Sequence, residues 1–77
     1  MASYQALKQY ITVAPVSSPE VSPYLADVLS AGPDSGLSDG VRVVIDATLC
    51  GADVQIVDGS TVYRIVDSHK VVAIVHP

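Results

Sequence analysis

The sequence predicts a small, mainly β domain of the α+β class: an N-terminal arm with one or two short helices, then a four-strand antiparallel meander. Three observations predict it. Apolar and polar residues alternate through much of 41–76, Asp58-Gly59 lies between two apolar runs, and Ser22-Pro23 and Gly32-Pro33 bracket a short apolar stripe. Alternation is the period of a strand with one buried face. Asp-Gly between such runs is a strong hairpin signal. Ser before Pro opens helices, and Gly before Pro closes them.

The arm covers residues 1–40. In residues 1–14, Ser3 can cap a helix carrying Leu7, Tyr10, Ile11 and Ala14 on one face. Tyr10-Ile11-Thr12-Val13 also reads as a short strand before Pro15. The expectation is a short helix or turn leading into an extended segment. Pro15, Pro19 and Pro23 punctuate the next stretch. A helix follows over about 23–31, with Leu25, Val28 and Leu29 on its apolar stripe. Residues 32–40 form a Gly/Pro/Ser loop in which all but Leu37 are turn formers.

The meander covers residues 41–77, and arm and meander make one domain overall. Val41, Val43, Ile45, Ala47 and Leu49 alternate with Arg42, Val44, Asp46 and Thr48. Cys50-Gly51 is read as the next turn. A type I′ turn at Asp58-Gly59 and a four-residue link at Asp67–Lys70 complete the meander. These turns place Val43, Ile45, Ala47, Val54, Ile56, Tyr63, Ile65, Val72 and Ile74 on one face. The opposite face carries Val57, Val62, Val66, Val71 and Val75 among polar residues. The strand, four-residue turn, strand rhythm of 61–76 resembles SH3-like and Sm-like barrels. That resemblance implies a sheet curled into an SH3-like half-barrel, and it carries no function.

Composition narrows the function classes. The 77 residues are too few for more than one domain, and one this size has a thin stability margin. Cys50 is the only cysteine, so no internal disulfide can form. Hydrophobic residues make up 49% of the chain, fourteen of them valines, without any Phe or Trp. Mean hydropathy is +0.43. So much apolar content on so small a chain points to a covered interface. Net charge is −4, and Lys8, Arg42, Arg64 and Lys70 form no cluster, which argues against nucleic acid as a partner. No signal peptide or membrane-spanning run is visible, which fits a cytoplasmic or virion-associated protein.

Residues with chemical potential are few. Cys50 could act as a nucleophile with His69 or His76 as base, but it more simply reads as a turn residue. Cys50, His69 and His76 match no familiar zinc spacing. Asp67-Ser68-His69 holds the residue types of a hydrolase triad, yet triads assemble through space rather than from neighbours in sequence. Asp34 and Asp39 sit in a loop without the ligand pattern of an EF-hand. Gly32, Gly36 and Gly40 open no phosphate-binding helix. No catalytic, cofactor or metal residue is therefore assigned.

The expectation is a non-enzymatic structural or assembly protein. It would be oligomeric, or a small subunit docked on a larger protein assembly such as a virus or phage particle. Its candidate interface residues are Val57, Val62, Val66, Val71 and Val75 on the second face, with Tyr4, Tyr10 and Tyr24 from the arm. The alternative is a small binding or inhibitory module, such as a phage-encoded inhibitor of a host protein. A cysteine- or metal-dependent enzyme ranks third.

Overall fold

The computed structural model describes residues 3–77; Met1 and Ala2, with the start of the expected arm, lie outside the described residues. The described residues form six strands: β1 (Tyr10–Pro15), β2 (Tyr24–Ala31), β3 (Arg42–Ile45), β4 (Val54–Asp58), β5 (Thr61–Asp67) and β6 (Val71–Val75). A 3-10 turn, Ser68–Lys70, separates β5 from β6. All neighbours are antiparallel, in the order β4-β5-β1-β2-β3-β6. No ladder joins β4 to β6, so the sheet is open. It is also strongly curled: the molecule measures 29 × 29 × 27 Å. A flat sheet would be only about 10 Å thick.

The α+β expectation is thus corrected to an almost all-sheet domain. The expected helix over 23–31 is β2, a central strand. Its buried residues are Tyr24, Ala26 and Val28, at period 2, while Leu29 of the helical stripe is exposed. Two neighbouring strands outweigh the cap signals, because a central strand satisfies its backbone on both sides. Ser22 serves β3 instead: its hydroxyl accepts from Ala47 N–H (3.0 Å) and donates to Asp46 Oδ1 (3.1 Å). Gly32 is also no helix stop. Its N–H donates to Tyr10 O at 2.9 Å, and a Cβ there would meet the carbonyl oxygens of Lys8, Tyr10 and Leu7. Over 3–14 the helix option fails, but a turn at Lys8-Gln9 does lead into an extended segment, β1, the strand reading before Pro15.

The four-strand meander is corrected as well. The β4–β5 hairpin is present, but its turn lies one residue later than expected. Asp58 pairs with Thr61 and Val57 with Val62, leaving Gly59-Ser60 as the loop. Gly59 has φ +62, and Ser60 is not among the positive-φ residues, which fits a II′ turn rather than I′. β3 does not pair with β4, nor β5 with β6. β3 lies between β2 and β6, and β5 between β1 and β4. A turn at Asp46, whose carboxylate accepts from Thr48 N–H at 2.9 Å, follows the end of β3 at Ile45. The chain then crosses to the opposite side of the sheet.

The core is Ile11, Val13, Tyr24, Ala26, Val28, Val43, Ile45 and Val66, all on β1, β2, β3 and β5. Cross-strand pairs Ile11–Val66, Val13–Val28, Tyr24–Ile45 and Ala26–Val43 place these side chains on one face. The expected single apolar face is therefore divided. Val43 and Ile45 are in the core, whereas Ile65 pairs with Thr12 and Val54, in the alternate register from Val66.

Candidate interaction surface

The sheet ends in two edge strands that contribute no fully buried side chain to the core. β4 exposes Val54 and Val57; β6 exposes Val72, Ile74 and Val75. Leu7, Tyr10, Val16, Val21, Leu29, Leu49 and Val62 are also exposed. For a chain of 77 residues this is a large exposed apolar complement.

Of the expected interface residues, Val57, Val62, Val75 and Tyr10 are exposed. Val57 and Val62 are directly paired near the tip of the β4–β5 hairpin. Val71 is half-buried and packs against the core. Tyr4 is half-buried: its ring lies 5.3 Å from that of Tyr63, and its hydroxyl donates to Asp58 Oδ2 at 3.0 Å. Tyr24 and Val66 are core residues, 1% exposed, and are withdrawn from any surface.

The edges meet through a buried polar cluster, of which the sequence points to the Asp53–Arg64 charge pair but not to Lys70. Lys70, just before β6, places Nζ 2.8 Å from Asp53 Oδ1, just before β4. Both side chains are more than nine-tenths buried. Arg64 on β5 also reaches Asp53, with Nη1 3.3 Å from Oδ2, and lies 6.0 Å from the Tyr24 ring centroid. The Tyr24 hydroxyl is buried without a hydrogen bond. Burial pushes its phenol above the ordinary range and the Asp53 charge adds to that, while Arg64 opposes. The signal that could have found this cluster is a lysine and an aspartate directly flanking apolar strands, but nothing local pairs them.

Basic charge is mostly consumed inside the fold. Arg42 is paired with Asp27 across β2 and β3 at 2.8 Å. Arg64 and Lys70 share Asp53. Cys50 is exposed in the loop after β3, and His76 is exposed beyond β6. His69 Nδ1 lies 2.7 Å from Asp67 Oδ1, a contact that the sequence reading discounted; no hydrogen bond joins Ser68 Oγ to His69 among the described residues. Among the described residues no three His, Cys, Asp or Glu side chains converge on a metal-sized site.

A cleft of about 290 Å³ lies beside the arm, lined by Ser3, Tyr4, Gln5, Thr12, Leu29, Ser30, Asp39 and Tyr63. Thr12 is 1% exposed, and its hydroxyl has no hydrogen-bond partner. No helix among the described residues is long and apolar enough to cross a membrane. No protein-family model matches this chain, and no curated protein matches it.

Proposed function

We propose that the protein is a non-enzymatic assembly subunit, which self-associates or docks on a larger protein assembly such as a virus or phage particle. The observation that carries this reading is the pair of unpaired, apolar sheet edges, β4 and β6. Unpaired edges present rows of free N–H and C=O groups, and monomeric proteins usually guard them. The ion pairs of Arg42, Arg64 and Lys70 support a protein partner over a nucleic acid. Sedimentation of the purified chain across a wide concentration range tests the reading. The expected result is a mass that rises above the 8.0 kDa of one chain. A chain that stays at one mass throughout, alone and mixed with extracts of its source, would overturn it.

A second reading, a small binding or inhibitory module, is supported by the cleft floored by the unpartnered Thr12 hydroxyl. Its volume is near the lower end for small-ligand sites. A monomer whose melting temperature rises saturably with a ligand, and for which Thr12→Val removes that rise, would favour this reading.

A further inference from the structure

β6 reads Val71-Val72-Ala73-Ile74-Val75, with no charge and no polar side chain. Among the described residues, Val72 to Val75 make no backbone hydrogen bond beyond the ladder to β3. Natural edges are guarded by lysine, proline, bulges or covering loops. β6 has only a bulge, opposite Val44 and Ile45, which leaves Val72 as the extra residue. The β4 edge is better guarded, with Gln55 and Asp58 in its five residues and Tyr4 bonded to Asp58.

The β6 sequence is also nearly its own reverse about Ala73. Val72 and Ile74 flank it, then Val71 and Val75. A two-fold interface requires one patch that complements itself. Antiparallel pairing about Ala73 meets that requirement: Ala73 faces Ala73 of the second copy, and Val72 faces its Ile74. Directly opposite residues share a face, so each pair is apolar and no charge is desolvated. Self-pairing of β4 about Ile56 would instead set Val54 against Asp58 and Gln55 against Val57. A groove of about 560 Å³ beside β6, lined in part by Leu37, Val41, Ile74 and Val75, offers further apolar contact.

We propose that β6 is a two-fold dimerisation edge, pairing antiparallel with β6 of a second copy of this chain about Ala73. The proposal rests on the reading of the protein as a self-associating subunit. In a Cys50→Ser background, Ala73→Cys places two thiols at the dyad, within the Cα separation that a disulfide spans. Mild oxidation is expected to give a covalent dimer in high yield, whereas Ile56→Cys on β4 stays largely monomeric on a denaturing gel. Val72→Lys is expected to halve the mass of the parent dimer in sedimentation, with an unchanged circular dichroism spectrum. If the parent associates but Ala73→Cys fails to cross-link, β6 pairing is overturned and the assembly reading stands. If the parent is monomeric at every concentration, β6 pairing is overturned, and the assembly reading falls with it when the chain also stays at one mass mixed with extracts of its source. Should Val72→Lys fail to fold, the cross-linking result decides alone.

Discussion

Lys70 Nζ lies 2.8 Å from Asp53 Oδ1, and the two residues stand at the starts of the two edge strands, farthest apart in sheet order. The ion pair thus draws together the ends of a curled but open sheet. Asp53 also serves Arg64, so one carboxylate meets two cations. Removing it leaves a buried ammonium and a largely buried guanidinium without a counter-charge. Asp53→Asn is expected to cost about 3–5 kcal/mol. Lys70→Met should cost less, because Asp53 keeps Arg64 and the thioether fills similar space. Urea melts of both variants check the order; a costlier Lys70→Met would contradict this account.

Gly59 sits at φ +62 with open space where a Cβ would be. Substitution there tests backbone conformation without a steric clash. Gly59→Val should destabilise by about 1–3 kcal/mol, and Gly59→Asn by less, since Asn tolerates positive φ. A valine variant that melts like the parent would refute the turn geometry.

Stability should fall at both ends of the pH scale. Thr48 donates to Asp46 from its hydroxyl and its N–H, and the N–H and ring of His69 bond to Asp67; both carboxyls are held below the ordinary range. Their folded values lie under their unfolded ones. Their contribution is therefore full above about pH 4 and is lost as the pH falls through the folded values. Asp46→Asn with Asp67→Asn should flatten the acid side of a plot of melting temperature against pH.

Tyr24 has the opposite sign. Its folded value is raised, so its contribution is full below about pH 10 and is lost as the pH rises through the folded value. Tyr24→Phe should remove that alkaline loss. It should also gain about 1 kcal/mol at neutral pH, because the deleted hydroxyl is buried without a partner. A neutral-pH loss of several kcal/mol would show that the hydroxyl is bonded after all.

Neighbouring valines on β5 should respond differently to charge. Val66 is buried in the core, while Val62 is exposed near the hairpin tip. Val66→Asp is expected to unfold the chain. Val62→Asp should leave the circular dichroism spectrum intact, with any effect confined to association. An unfolded Val62→Asp would mean that the hairpin tip is packed.

Strand by strand, the second half was legible from sequence. The alternation through Val54–Asp58 and Thr61–Asp67 and the Asp-Gly signal locate a real hairpin, and the run Val71–Val75 is a real strand. Period 2 fixes which residues share a face within a strand, but it does not say which strands are neighbours. The reading joined consecutive strands by default, and that failed where Asp46 and Ser22 build a loop after β3. Residues 24–31 satisfy both periods: Leu25, Val28 and Leu29 read as a helix, Tyr24, Ala26 and Val28 as a strand. Only the presence of β1 and β3 on either side decides between them. Of the interface set, composition could not separate Val66 and Tyr24, which the core absorbs, from Val57, Val62 and Val75, which it does not.

The strand order has a consequence for how the chain reaches this state. β1 lies between β2 and β5, and β3 between β2 and β6, so strands from early and late in the described sequence are both needed to complete the sheet. A growing chain that has reached only β3 can form β1-β2-β3, with both flanks bare and neither Asp53 nor Lys70 present. Such distant pairings make folding slow, on the order of milliseconds to seconds. Until β5 and β6 arrive, the bare flanks are β1 and β3, and Ile11, Val13, Val43 and Ile45, buried in the finished sheet, are then open to other chains.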